Sequence, residues 1–459
     1  MEKRRAGYGW GAALVAGALL RLLFFWLRPT VAGDALMYGD LAHNMVAHHV
    51  YGFSATVILP TLIRLPGYPL FLAACFAVFG VGNYAAVVVV QMVVDLAGCA
   101  LLGLLAERLW GRRAGLAAVW LAAVCPFTAN YSVVVLAETL SAFCVVVALV
   151  ALERWDAGRL WGWVMMLGCV LSAAVLLRPD EGILAAVVVA VMLWVGLRRG
   201  DGGVGSRVAP AVVASLLMVL PLGLWTARNW RVFHVIQPLA PRYANDPDEA
   251  VPLGFQRWFR TWAVDYKATY DIYWNYDDTR MRVEDLPVRA FDNAQQKEQT
   301  EALFARYNKV VSATPEFDAA FAQIAAERVA EHPLRYYVLL PVAREADMWL
   351  RPRLELTRMP VDWWAVRAHP WRSTAEIVYA LLNAAYLGLA AVGLVMWRRR
   401  GWDGRGAVAY AMLGFVALRC LLLLTLDNSE PRYTLECFPV VIVLGSFAVA
   451  RVRGAVVSG

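Results

Sequence analysis

YAAVVVVQMVVDLAGCALLGLLA, residues 84–106, is a 23-residue run interrupted by only two strongly polar side chains, Gln91 and Asp95. As a helix rising 1.5 Å per residue it is about 35 Å long, enough to cross the roughly 30 Å hydrocarbon layer of a bilayer. Further apolar runs lie at about 7–28, 114–128, 131–152, 160–177, 182–197, 208–229, 373–397, 406–425 and 434–450. Roughly ten spans, some of them short, predict an all-α polytopic membrane protein. Composition agrees: of 459 residues, 60% are hydrophobic and 17% charged, with a mean hydropathy of +0.53. Average soluble domains have about 45–50% and about 25%. Soluble globular, disordered, collagenous and small disulfide-framework classes are excluded together.

The net charge is +7, and its placement carries the meaning. With the N-terminus inside, the candidate cytoplasmic loops hold Lys3, Arg4, Arg5, Arg108, Arg112, Arg113, Arg154, Arg159, Arg198, Arg199, Arg207, Arg398, Arg399, Arg400, Arg405, Arg451 and Arg453. These 17 basic residues face six acidic ones, Glu2, Glu107, Glu153, Asp156, Asp201 and Asp403. Such asymmetry is the positive-inside pattern, so the basic balance reports membrane orientation and not a nucleic-acid surface. Residues 7–28 are interrupted by Arg21 and followed by no small-residue cleavage site, which predicts a retained first helix. The seven cysteines lie in or beside apolar segments, with none between 231 and 372, as expected of small buried hydrophobes and not of disulfides or a thiolate zinc site.

The domain expectation is an N-terminal membrane core over 1–230 with a first outer loop at 29–67, an outer segment at 231–372, and C-terminal membrane helices at 373–459. The stretch YPLFLAACFAVFGVG (68–82) is too short for a confident span and reads as a re-entrant or interfacial piece. The outer segment holds 19 basic and 20 acidic residues, irregular at first and then helical, and reads as a small water-facing helical subdomain. Its aromatics Tyr270, Tyr273, Trp274 and Tyr276 suit either stacking on a ligand ring or an interfacial belt.

In the first loop, Asp34, Tyr38, Leu41 and Met45 recur at helical spacing, predicting an amphipathic interfacial helix that Asp34 either caps or serves as a base. Glu138, placed about seven residues into the run 131–152, lies roughly 10 Å below its end. An acid at that depth marks a functional site or a polar cavity, with Tyr131 at i−7 sharing it, unless it is a structural partner of Arg21 or Arg419. Arg64, Arg178 and Arg432 each sit at an outer boundary, against the inside bias, where a planar guanidinium suits phosphate or simply snorkels. Asp95 with Gln91 reads as a structural polar contact. His43, His48 and His49 do not share a face convincingly, so a metal cluster is disfavoured. A carboxylate base beside phosphate-seeking arginines at a membrane boundary suits group transfer from a lipid-phosphate donor.

The stretches GDALMYGDLAHNM with RLPGYPLF, PFTANYSVVVLAETLSAF, LLRPDEG, PLGLWTARNWRVF and EPRYTLECFP follow in order along the chain. Together they resemble the bacterial GT-C superfamily glycosyltransferases related to protein O-mannosyltransferases (glycosyltransferase family 39) and the lipid A aminoarabinose transferase. The resemblance implies a GT-C-like fold of about 10–11 transmembrane helices, with interfacial helices in the first outer loop and a long outer loop. It implies a multi-pass protein of the bacterial inner membrane, acting on the extracytoplasmic side. The implied activity is inverting transfer of a sugar from a polyprenyl-phosphate carrier to a hydroxyl of a lipid, glycan or protein. Asp34 matches the family's first-loop acid, held to be base or acceptor-orienting, and Glu138 the second acid. Arg64 and Arg178 match basic residues near the donor phosphate, with Arg432 a third candidate. Tyr38, Asp40, Tyr131, Arg228 and Tyr433 are further candidates within or beside the matched stretches. Relatives often carry two adjacent acids in the first loop, whereas Ala35 follows Asp34 here, and a divalent metal is left open. The competing readings are an envelope polysaccharide ligase or polymerase with a pyrophosphate-linked donor, and a lipid or sugar transporter. The transporter reading is weakened by the lack of any visible repeat.

Overall fold

The computed structural model describes residues 2–27, 31, 33–198, 203–247, 249–357 and 359–457, with the side chains of 2–7 and 452–457 left aside. The loop charges read at Glu2, Lys3, Arg4, Arg5, Arg199, Asp201 and Arg453 therefore lie outside what is described. Helix dominates, and the sole described sheet is a two-stranded antiparallel ribbon, β1 (Gly52–Phe53) with β2 (Leu59–Pro60). The chain divides into two compact units, Met1–Asp248 with Ala384–Ala417 and Leu435–Gly459, and Glu249–Asn383 with Leu418–Thr434.

The first unit begins with α1 (Glu2–Leu27), α2 (Asp34–His48), α3 (Gly67–Phe79) and α4 (Tyr84–Trp110). It continues through α5 (Arg112–Ala123), α6 (Pro126–Tyr131), α7 (Glu138–Gly158), α8 (Trp161–Leu177), α9 (Gly182–Arg198) and α10 (Val204–Phe233). Seven segments among the described residues are long and apolar enough to cross a membrane: Tyr8–Leu27, Tyr84–Trp110, Pro179–Arg198, Val204–Phe233, Pro370–Arg398, Gly406–Leu423 and Pro431–Arg451. The chain is thus an all-α, multi-pass membrane protein, as its composition requires.

Two apolar runs resolve differently from their sequence reading. The run 114–128 breaks at Pro126, which lacks an amide hydrogen and occupies the first turn of α6. The run 131–152 begins as turns, so α7 starts only at Glu138. Glu138 is therefore a first-turn residue and not one seven residues inside a span, and Tyr131, on α6, is not on its helix at all. The apolar helix α3 has 13 residues, about 20 Å, too short to span. It packs against α2, α4 and α8. Gly67 makes the last of these contacts: a Cβ there would lie 2.5 Å from the backbone carbonyl of Leu176.

In the second unit, α11 (Leu253–Arg260) packs on α14 (Pro315–Glu331). Between them run α12 (Tyr266–Ala268), a π-helical turn at Thr269–Tyr273, and α13 (Ala294–Val310). Asn293 caps α13 and Thr314 caps α14 with side-chain oxygens, satisfying amides that the helix cannot. The core is aromatic: Phe255 stacks on Tyr276 with centroids 3.8 Å apart, and Trp258, Trp262, Tyr307 and Phe321 complete it. Tyr276 is thus core, Tyr273 packs against the core, and Tyr270 and Trp274 are exposed. Next come α15 (Leu340–Leu350), entered through a π-helical turn at Arg335–Leu339, and the first half of α16 (Pro370–Arg398). The end of α17 (Gly406–Leu423) and the following loop also belong to this unit, whereas α18 (Phe438–Val457) returns to the first.

Candidate functional site

Gly33 precedes α2 with φ of 56° and ψ of −131°, a positive-φ conformation that glycine adopts without a Cβ penalty, and serves as its N-cap. Asp34 is consequently the first helical residue and does not cap, which removes the purely capping account of it. Its carboxylate sits where the helix dipole favours negative charge, and its Oδ1 accepts a hydrogen bond of 3.0 Å from Arg64 Nη2. Both side chains are about one-quarter exposed, at 26% and 23%.

Arg64 is presented by a tethered segment. Tyr51 donates its hydroxyl to the Arg64 carbonyl at 2.9 Å, and Asp246 accepts from Thr61 Oγ1 and Leu62 N. Arg228 donates to the carbonyls of Thr61 and Tyr51 at 2.7 and 2.8 Å, while its guanidinium lies over the rings of Tyr51 and Trp225. Arg228 therefore fastens the first loop to α10. Asp40 does similar local work, accepting from the amide and hydroxyl of Ser54 at 2.7 and 2.6 Å.

One turn along α2 from Asp34, Tyr38 packs edge-on against Tyr68 at 4.9 Å, and Tyr68 donates to Gln91 Oε1 at 2.6 Å. Burial raises the Tyr38 phenol above its ordinary value; Arg64 and Arg178 pull it down, Asp34 and Glu138 push it up. Tyr38 accordingly stays a neutral hydrogen-bond donor, flanked electrostatically by both acid–arginine pairs.

The second pair is Glu138 with Arg178, joined at 3.0 Å. Arg178 also forks onto Asp180, with Nε and Nη2 at 3.2 and 3.1 Å, and meets Glu436 Oε1 at 3.1 Å. One guanidinium thus holds three carboxylates, two of them, Glu138 and Glu436, buried. The buried neighbour Glu181 accepts from Ser141 at 2.8 Å. Asp180 and Glu181 lie in LLRPDEG and Glu436 in EPRYTLECFP, and sequence reasoning misses all three as site residues. Glu436 carries the same signal as Glu138, an acid beside an apolar run.

Of the partners considered for Glu138, Arg21 is engaged elsewhere. Arg21 is buried and ion-paired with Asp95, so Asp95 is structural but through Arg21 and not through Gln91. Gln91 instead donates to the carbonyls of Ser132 and Val134. Arg419 donates to the Tyr433 carbonyl at 3.1 Å. Tyr131 is buried at the end of α6.

Arg432 and Tyr433 belong to the second unit, where Glu430 receives both, at 2.5 Å from Arg432 Nε and 2.8 Å from the Tyr433 hydroxyl. Among the described residues the one group with metal-ligand proximity is Asp292, Glu331 and His332, also in that unit. Both Asp292 oxygens already receive the Arg335 fork, at 2.6 and 2.7 Å.

The class defined by this architecture is a multi-pass membrane protein of GT-C fold. Aligned with the archaeal oligosaccharyltransferase AglB from Archaeoglobus fulgidus, in complex with an inhibitory peptide and a dolichol-phosphate, it gives a TM-score of 0.57 at 15% identity, covering 99% of this chain and 51% of that one. The same oligosaccharyltransferase tethered to an acceptor peptide gives 0.54 at 13% identity, covering 98% and 50%. ArnT from Cupriavidus metallidurans bound to undecaprenyl phosphate aligns over 98% of this chain and 79% of its own, at 18% identity and a TM-score of 0.39. The chain spans about half the length of the oligosaccharyltransferase it matches. Residues 64–225, which include Arg64, Glu138 and Arg178, match the dolichyl-phosphate-mannose-protein mannosyltransferase family. No curated protein matches the chain in sequence.

Proposed function

We propose that this protein is an inverting glycosyltransferase that moves a sugar from a polyprenyl-phosphate carrier to an acceptor hydroxyl at the extracytoplasmic face of a bacterial inner membrane. The observation that carries the reading is the Asp34–Arg64 pair: a partly exposed carboxylate and guanidinium 3.0 Å apart, on a tethered loop and a helix N-terminus, beside a buried second acid–arginine pair. The match of residues 64–225 to a family named for a polyprenyl-phosphate sugar donor supports the donor class, as does the lipid phosphate in the AglB structure.

In the proposed step, the acceptor oxygen attacks the anomeric carbon from the face opposite the phosphate, Asp34 takes the hydroxyl proton, and the bond from that carbon to the phosphate oxygen breaks. The leaving group goes from phosphodiester monoanion to phosphomonoester dianion, so charge grows where a guanidinium is most effective. Arg64 fills that role, exchanging Asp34 for phosphate as Asp34 is protonated. Arg178 and Glu138, locked to each other, hold the donor side of the site in shape, with Tyr38 donating toward it.

Purified protein with a polyprenyl-phosphate sugar and a hydroxyl acceptor tests this directly. Asp34→Asn should lower turnover by about 10²- to 10⁴-fold, the range for loss of a general base, with donor binding retained. Full turnover in that variant would overturn the assignment, as would activity with a pyrophosphate-linked donor alone.

A further inference from the structure

The helical run 333–350 in the second unit, made of the π-helical turn at Arg335–Leu339 and α15, has its polarity reversed relative to a helix facing water. Its outward side is apolar: Tyr337, Val338, Leu339, Val342 and Leu350 are 46–65% exposed. Its charged residues point inward. Arg344 is 1% exposed and donates to the carbonyls of Arg260 and Ala263, and Asp347 accepts from Tyr266 N and Ser429 Oγ. A helix in water buries its apolar stripe and exposes its charges. The reverse arrangement is stable where the surroundings are hydrocarbon.

The depth of this run can be counted along a helix it touches. Trp349 offers its carbonyl to Asn383 Nδ2 on α16 at 2.6 Å. The basic run Arg398–Arg400 marks one membrane boundary of α16. Asn383 stands 15 residues, about 22 Å, from Arg398, inside a hydrocarbon layer of about 30 Å and about 8 Å short of its other face. That is the depth to which interfacial amphipathic helices sink, about 5–10 Å. Val378, Leu381 and Leu382, on the adjoining stretch of α16, are likewise exposed and apolar.

We propose that the run 333–350 is an interfacial membrane helix whose outward face lies among the acyl chains of the leaflet remote from Arg398, so that the second unit is embedded in lipid along this edge instead of standing clear in water. The partner is the hydrocarbon of ordinary phospholipid, and the proposal does not depend on the catalytic reading.

Nitroxide labels at Val338→Cys and Val342→Cys, in a Cys169→Ser background because Cys169 is the exposed native thiol, test it in lipid nanodiscs. Val288→Cys, at a position 91% exposed in the same unit, is the aqueous reference, and Leu339→Cys substitutes if either variant fails to fold. Collision with oxygen should exceed collision with a water-soluble nickel chelate several-fold at 338 and 342, with the ratio inverted at 288. Nickel access at 338 and 342 equal to that at 288 would overturn the proposal. Exclusion of both reagents would also overturn it, in favour of a second protein copy covering the face.

Discussion

Arg178 and Arg64 each pair with an acid, yet their surroundings give them opposite sensitivities to substitution. Arg178 is the common counter-ion of Glu138, Asp180 and Glu436. Removing it leaves two buried carboxylates without that charge, and breaking a buried pair in this way costs about 3–5 kcal/mol. Arg178→Ala should therefore lower the melting temperature sharply or abolish folded yield in detergent. Arg64 and Asp34 are about one-quarter exposed, and a pair open to water is worth about 0–1 kcal/mol. Arg64→Ala should melt close to the parent while losing transfer. Equal melting of the two variants would refute this division between a structural and a reactive arginine. Asp34 and Arg64 were each legible as candidates from local sequence because both lie in one loop of dense polar signals, but their pairing was not. Nor was the three-acid setting of Arg178, since Asp180 is two residues away but Glu138 and Glu436 reach it only through tertiary packing.

At the scale of elements, the site depends on how closely short helices approach. Gly67 opens α3 against the end of α8, and the residue after α8 is Arg178. In Gly67→Ala the new methyl would meet backbone atoms of Leu176, which cannot swing aside as a side chain can. Overpacking of this kind costs about 1–3 kcal/mol and shifts α3 or Arg178. The expected result is a lower melting temperature together with reduced transfer, although Gly67 is not among the proposed reacting groups. Gly182→Ala, where nothing lies within 4 Å, is the matched control and should leave both unchanged. The helix breaks around the site were unequally legible. Pro126 carries a local signal in its missing amide hydrogen, although the run 114–128 is read straight through it, whereas the turns between Tyr131 and Glu138 contain only Ser, Val, Leu and Ala. Residues that suit a continuous helix or strand give no local warning of a turn, so Glu138 was read a full two helical turns too deep.

At the scale of the whole molecule, apolar length decides the first unit and charge pairing does much to hold the second. The class of protein was readable from the run 84–106 because a span is a local property. The packing of the balanced outer segment was not, because its 19 bases and 20 acids can pair in many ways. Asp292 shows the outcome: it takes the fork of Arg335, meets the buried Arg328, and lies near His332. Burial alone would raise its carboxyl, but these cations prevail and hold it below its ordinary value. Because the folded form binds its proton more weakly than the unfolded chain, its stabilisation is fully present above the ordinary carboxylate range. It is lost as pH falls below about 4. Asp292→Asn should therefore cost about 2 kcal/mol near neutral pH, the scale of hydrogen bonds to a charged group. The variant should also be less sensitive than the parent to acidification from pH 5 to pH 3. Thermal melts of the protein across that range provide the comparison. Parallel pH profiles for parent and variant would show that Asp292 is not a source of the acid sensitivity.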